Sequence, residues 1–249
     1  MQPYQHNYLV TDAHVDCFGR LKPSMLLFFC QDVAGYHCLQ LGTDYDTLAE
    51  KNLFWAIIRQ KVQITRLPRS GETIRVETWP MPTTRTYFPR STVAYDREGQ
   101  ELFRSIGMWV LVDISNRTMV LPGKSGVNVL GLLTGNELMI PGSLAPKNLS
   151  NTQLRRVGYC DLDRNGHMNN TRYLEWMDDL LPSSFHRDHT PMEFTVCYHS
   201  EAREGDELHM NWQLDETGLL QVDGWTDQSE TGKPHRICSA QILYKENIL

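Results

Sequence analysis

The sequence has no apolar run long enough to cross a bilayer as a helix. Its longest, Met25–Cys30 and Ile106–Val112, fall far short of the ~20 residues such a span requires. It opens with neither a basic segment nor an apolar core of the export type, so no export signal is expected. The six cysteines (Cys17, Cys30, Cys38, Cys160, Cys197 and Cys238) contain no C-x-x-C pair. That scatter argues against a zinc site or a disulfide frame and for reduced thiols in the cytoplasm. A basic excess is also missing: 24 Lys+Arg against 30 Asp+Glu give a formal charge of −6, which weighs against a dedicated nucleic-acid binder. With 41% apolar and 22% charged residues, the composition excludes disorder, collagen and coiled coil. A chain of 249 residues can bury a full core, as one large domain or as two of about 125 residues each. The expectation is a soluble cytoplasmic protein with no membrane and no nucleic-acid partner.

What the sequence does contain is a repeat of itself. Asp16-Cys-Phe-Gly19, followed by Leu27 and Asp32, recurs as Asp163-Arg-Asn-Gly166, followed by Leu174 and Asp179, at an offset of 147 (163 − 16). Arg69-Ser-Gly71 recurs as Arg203-Glu-Gly205 at 134 (205 − 71), and Arg104–Leu111 is set against Arg236–Leu243 at 132 (236 − 104). The shared order and slowly drifting offset indicate duplication, with a longer connection in the first copy around Thr43–Asn52.

Each copy reads as a D-x-x-G turn, a helix and then several strands. The first helix is expected from Pro23 to just before Gly42 and is apolar nearly all round, as in a helix enclosed by other structure. The second is expected from about Asn170 to Leu181, ahead of Pro182. Strand patterns follow at Trp55–Ile64, Thr73–Trp79, Ser91–Tyr95 and Ile106–Val112. In the second half they fall at Phe194–His199, Glu207–Gln213, Leu219–Trp225 and Arg236–Tyr244. Turn signals stand at Arg97–Gly99, Glu204–Asp206 and Glu230–Gly232. One helix with a four- to five-strand antiparallel sheet, given twice, is an α+β architecture. The expected division is residues 1–130, a linker over 131–150 rich in Gly, Pro and Asn, and residues 151–249.

Positions common to both copies are read as fold: Asp16/Asp163, Gly19/Gly166, Leu27/Leu174 and Gly71/Gly205. Against that background Phe18 becomes Asn165, Arg20 becomes His167 and Leu67 becomes Glu201. The second half has gained an amide, an imidazole and a carboxylate. Asp163, Asn165 and His167 alternate at period two just before a helix N-terminus, where N–H groups favour negative charge. Such groups suit hydrolysis of an acyl compound. Plain alternatives exist: Asp163 as a turn brace like Asp16, Asn165 as a turn residue, Glu201 as a solvated carboxylate, and Asn169 and Asn170 as helix caps.

Asp163-Arg-Asn165-Gly-His167-Met-Asn169-Asn170-Thr-Arg-Tyr173-Leu-Glu-Trp176 resembles the D-x-N-x-H-[VM]-N-N-x-x-Y-x-x-W signature of acyl-ACP thioesterases, proteins of double hotdog fold. Lys51–Trp55 with Arg59 resembles that family's N-terminal hotdog strand, and Tyr198-His-Ser-Glu201-Ala202 the strand bearing its catalytic Glu. Many plant members carry Cys directly after that Glu. Here the position is Ala202, which argues against a thiol nucleophile.

The resemblance implies an N-terminal hotdog that binds the acyl chain and a C-terminal hotdog that carries catalysis. It implies hydrolysis of fatty acyl-[acyl-carrier-protein] to free fatty acid, with Asp163, Asn165, His167 and Glu201 as catalytic residues. Met25, Phe29 and Trp55 would line the acyl site, and no metal or redox cofactor is implied. The partner would be acyl carrier protein, an acidic protein, with Arg155, Arg156, Arg172 and Arg203 as candidate docking cations. A homodimer is left open. The alternatives are an acyl-CoA thioesterase, an enoyl-thioester hydratase of the same double fold, and a non-catalytic acyl-thioester binding module. The hydratases typically show D-x-N-P-x-H, one residue longer than the spacing here.

Overall fold

Pro at the first helical position and Gly42 in the left-handed region (φ 63°) bound the first long helix, α1, at Pro23–Leu41. The computed structural model describes residues 2–135, 137–227 and 234–247. The chain divides into two compact units, Met1–Pro141 and Gly142–Leu249. Helix α1 buries Leu26, Leu27, Phe29, Cys30, Val33, Ala34 and His37, and packs on β1 (Tyr4–Leu9) and β3 (Thr73–Pro80). It is not enclosed on every side, because Phe28, Tyr36 and Leu39 are 44%, 41% and 62% exposed.

The sheet of the first unit also contains β2 (Leu53–Ile64), β4 (Phe88–Tyr95) and β5 (Glu101–Asp113), in the order β1-β3-β4-β5-β2. Every pairing is antiparallel, and the two-residue strand β6 (Met119–Val120) adds to β5. The longer connection after α1 holds a short helix, α2 (Tyr45–Ala49), capped by the Asp44 carboxylate on the amides of Asp46 and Thr47. A single helical turn, α3 (Pro122–Ser125), follows β6. Beyond it the irregular chain is packed rather than loose. Leu132 and Leu138 lie on the Trp79, Met81, Val93 and Ile106 cluster, and the Leu132 amide donates to the Pro80 carbonyl at 2.9 Å. Gly131 is obligatory there, since a Cβ would stand 2.2 Å from the Pro82 nitrogen.

The second unit repeats this plan with β7 (Asn151–Arg156), α4 (Asn170–Asp178), α5 (Ser183–Asp188), β8 (His189–Tyr198), β9 (Glu207–Leu214), β10 (Leu219–Thr226) and β11 (His235–Glu246). Its antiparallel order is β8-β11-β10-β9-β7. Helix α4 ends three residues earlier than the apolar pattern suggests, and it buries Tyr173, Leu174, Trp176 and Met177. The segment before β7 is tied down by a buried ion pair. Arg236 places Nε and Nη2 on the two carboxylate oxygens of Asp223 (2.5 and 3.1 Å), and its Nη1 donates to the Leu144 carbonyl at 2.6 Å. The turn signal at Glu230–Gly232 lies outside the described residues.

The duplication extends to individual hydrogen bonds. Asp16 N to Arg20 O (2.7 Å) recurs as Asp163 N to His167 O (2.8 Å), and Leu21 N to Pro68 O as Met168 N to Ala202 O, both 2.8 Å. Gly19 and Gly166 take φ of 72° and 75°, a region that costs an L-residue about 1–2 kcal/mol, so both copies require glycine there. The third sequence match is corrected by strand pairing. Ile64 faces Phe103 and Tyr198 faces Cys238, so β11 aligns with β5 at 238 − 103 = 135 rather than 132. Ser239 therefore corresponds to Arg104.

Candidate active site

In both copies the turn is built around its first Asp. Asp163 Oδ1 accepts from the Asn165 amide (2.7 Å) and the His167 amide (3.3 Å), as Asp16 Oδ1 accepts from those of Phe18 and Arg20 (both 2.9 Å). A carboxylate that accepts two amides braces the turn, so Asp163 has this structural duty whatever else it does. Its consequence for the site is geometric: Asn165 stands half-buried and His167 is carried inward to 7% exposure.

The two copies part at the side chains. Arg20 folds back on its own turn, with Nε and Nη2 at 3.0 and 2.9 Å from Asp16 Oδ2, and stacks over Phe18. His167 instead turns to another segment, with Nε2 3.0 Å from Glu201 Oε2. Glu201 comes from the segment after β8, 34 residues on (201 − 167). That segment is registered against the turn by the Met168 N to Ala202 O bond. Ala202 is fully buried, while the Glu201 side chain keeps 37% of its surface. Position 202 thus packs the loop, and position 201 presents an acid to the imidazole.

Helix α4 contributes less open donor capacity than its N-terminus suggests. Asn169 caps it, its side-chain oxygen accepting from the Thr171 amide (2.9 Å) and its carbonyl from the Arg172 amide (3.0 Å). Tyr173 is 3% exposed, and burial, with the nearby thiol of Cys238, Tyr198, Asp206 and Asp163, raises its hydroxyl well above the ordinary value. It stays neutral and serves as packing, ring to ring with Tyr198, whose own hydroxyl donates to the Asn170 carbonyl at 3.0 Å.

The stretch that carries Glu201 is held from the sheet side too. The amides of His199 and Ser200 both donate to the Ile237 carbonyl (2.8 and 3.3 Å), and His199 Nε2 lies 2.9 Å from Ser239 Oγ. Neither side chain stood out in the sequence, because 40 residues separate them. The signal that finds them is the comparison of the copies, where Thr65 and Arg104 occupy their places.

Of the residues expected to line an acyl site, Phe29 is 1% exposed, with its ring 4.5 Å from that of Tyr8. Met25 is half-buried on α1. Trp55 packs on Leu48, Leu53, Phe88, Leu111 and Val127 and donates Nε1 to the Thr43 carbonyl at 2.8 Å. Among the docking cations, Arg155 is paired with Asp179 (3.0 Å), and Arg172 with Glu175 and the Cys160 carbonyl. Arg156 has its Nη2 3.9 Å from where a Cβ on Gly205 would sit, on the turn that bears Arg203.

The profile of the acyl-ACP thioesterase N-terminal domain matches residues 1–121, and that of the C-terminal domain residues 145–246. The chain belongs to the acyl-ACP thioesterase family. It is 22% identical over 213 residues to a chloroplastic palmitoyl-acyl carrier protein thioesterase of Gossypium hirsutum, covering 80% of this chain and 52% of that protein. The chain thus spans about half the length of the curated relatives it matches first. An acyl-ACP thioesterase structure from Bacteroides thetaiotaomicron matches with a TM-score of 0.82 at 23% identity, covering 97% of each chain. The 12:0-ACP thioesterase of Umbellularia californica matches with 0.81 at 18% identity, covering 98% of each. At those identities the two structures establish the fold, a double hotdog. Among the described residues, no helix is long and apolar enough to cross a membrane.

Proposed function

We propose that this protein hydrolyses fatty acyl-[acyl-carrier-protein], releasing free fatty acid and the carrier thiol and so ending chain elongation. The observation that carries the reading is the 3.0 Å contact between His167 and Glu201, two groups gained only by the second copy. Glu201, with His167, orients water and takes its proton. The water oxygen bonds to the thioester carbonyl carbon, the tetrahedral oxyanion collapses, the C–S bond breaks, and the departing sulfur receives the proton. The side-chain amide of Asn165 is the proposed donor to the oxyanion, since the backbone amides of Asn165 and His167 are taken by Asp163. Asp163 holds Asn165 and His167 in place. Its two accepted amide bonds support this role over direct attack to give a mixed anhydride. The buried Ala202 supports water rather than a thiol as nucleophile.

Met25, Phe29 and Trp55 are the proposed contacts for the acyl chain in the N-terminal unit. Carrier protein is the proposed partner. With Arg155 and Arg172 neutralised by acids, Arg156 and Arg203 are the better docking cations. A cytoplasmic setting fits six free cysteines, two of them exposed. The experiment is thiol release across panels of acyl-carrier-protein and acyl-CoA of varied chain length. Rapid release from the carrier-protein series and slow release from CoA supports the proposal. Release from CoA alone reassigns the carrier, and no release from either removes the hydrolase reading.

A further inference from the structure

A half-exposed glutamate on a loop has three side-chain torsions and needs its backbone held before it can meet an imidazole in one geometry. Glu201 is hung between two anchors. Downstream, the Ala202 carbonyl accepts from the Met168 amide, a bond the first copy also makes through Leu21 and Pro68. Upstream, the His199 and Ser200 amides share the Ile237 carbonyl, and the first copy has this bond as well, with Thr65 and Arg66 on the Leu102 carbonyl (2.9 and 3.1 Å). These backbone contacts belong to the fold, since the unit without the imidazole–carboxylate pair keeps them.

One contact in this place joins side chains that the first copy does not have. His199 Nε2 meets Ser239 Oγ at 2.9 Å, and Ser239 is 1% exposed on β11, directly across from Cys197 of β8. The corresponding residues, Thr65 and Arg104, are of different chemistry, and Arg104 is paired with Glu101 on its own strand. The ring–hydroxyl contact therefore accompanies the same half that gained His167 and Glu201. It clips the chain two residues before the acid to the interior of the sheet.

We propose that His199 and Ser239 are a positioning pair, fixing the backbone at 199–201 so that the Glu201 carboxylate stays within reach of His167. This rests on the proposed role of Glu201. Neither residue touches the reacting atoms. Their effect is on turnover, because misplacing a catalytic group by about 1 Å can cost up to about 100-fold in rate.

The test uses the full chain and steady-state kinetics with one acyl-carrier-protein substrate. His199→Ala and Ser239→Ala are expected to lower kcat about 5- to 20-fold while KM stays within about twofold, and His199→Gln, which keeps a polar reach to the hydroxyl, restores most of the loss. In a Glu201→Gln background, measured on the residual rate at high enzyme concentration, His199→Ala should add no further loss, because the group it positions is already gone. Wild-type kcat in both alanine variants overturns the proposal. So does an undiminished loss in the Glu201→Gln background, which would mean the pair acts elsewhere. His199 is exposed, so His199→Ala and His199→Gln keep the test decisive even if the buried Ser239→Ala misfolds. If Glu201→Gln alone retains full turnover, it is the parent reading of Glu201 that fails.

Discussion

Glu201→Gln separates a general base from an incidental ion pair because the two roles predict different magnitudes. The substitution keeps the shape of the side chain at a position with 37% of its surface in solvent, so folding should change by no more than about 0.5 kcal/mol. An exposed carboxylate that merely pairs with an imidazole contributes about 0–1 kcal/mol, at most about a fivefold change in any rate that depends on it. A general base contributes about 10²–10⁴ in turnover, equivalent to about 2.7–5.4 kcal/mol of barrier at about 1.36 kcal/mol per decade. The two windows do not overlap. Turnover should fall at least 100-fold with KM little changed, and His167→Ala should fall comparably, the double variant being no worse than the poorer single one. The assay is initial-rate thiol release from acyl carrier protein. Its blank must count the exposed thiols of Cys17 and Cys160 on the enzyme itself. A variant within fivefold of wild type would refute the assignment.

The shared turn makes a paired expectation: Asp16→Ala and Asp163→Ala should each lose about 1–2 kcal/mol of stability in denaturant melts by freeing two amides, but only Asp163→Ala should also lose turnover per folded molecule. His37 is 4% exposed, and burial, aided by the adjacent Arg90 guanidinium, lowers its pKa from 6.5 to about 4. The folded chain keeps it neutral while the unfolded chain protonates it. Its contribution to stability is therefore complete above pH 6.5 and should fall by about 2 kcal/mol between pH 6.5 and 5, a loss that His37→Gln abolishes in pH-dependent urea melts. Arg236→Met strands the 2%-exposed Asp223 carboxylate and should cost about 3–5 kcal/mol, read as a fall in Tm, whereas Arg187→Met, at an exposed pair with Asp188, should be near neutral. Carrier-protein affinity should weaken as salt rises and drop in an Arg156→Ala, Arg203→Ala double variant; salt-independent binding would exclude electrostatic docking.

The parts of the fold legible in the sequence were those written in local chemistry. Pro23 and Gly42 mark both ends of α1, and the central strands announce themselves by apolar pattern. The edge strands did not. β7 reads Asn-Thr-Gln-Leu-Arg-Arg, a polar run held by hydrogen bonds to β9 with no alternating buried face. β1 reads Tyr-Gln-His-Asn-Tyr-Leu, whose half-buried face of Tyr4, His6 and Tyr8 stacks on α1 but lacks the aliphatic residues that mark a strand. Arg104 and Arg236 look equivalent because each opens a β-rich stretch, yet cross-strand pairing moves the alignment by three residues, and register is set between strands, not along one. At the site, Asp163 and His167 share a local turn and can be read from spacing. Glu201 lies in a different segment, so only the contrast between copies and the resemblance pointed to it. His199 and Ser239 emerge from the contrast only once strand pairing sets Ser239 against Arg104, because the sequence offset of 132 sets it against Gly107.

That contrast also shows why only the second copy can hold the hydrolytic site proposed above. In the first unit, the guanidinium of Arg20 turns back onto Asp16, four residues away, and Leu67 lies 6% exposed where Glu201 stands in the second. Charge on Arg20 is met within its own turn, and the position matching Glu201 offers a buried aliphatic side chain and no acid. Exchanging the cation for an imidazole removes that internal partner, and exchanging the leucine for a glutamate supplies one from another segment. The bond between Leu21 and Pro68, repeated as Met168 to Ala202, already set the register of the two loops in both copies. The fold thus provides the alignment, and two exchanged side chains bring an imidazole and a carboxylate together beside a braced turn that also carries Asn165. Installing Arg20→His and Leu67→Glu together in the first unit should accordingly bring an imidazole and a carboxylate within hydrogen-bonding distance, visible as coupled titration in a crystal or NMR experiment, while either change alone should not.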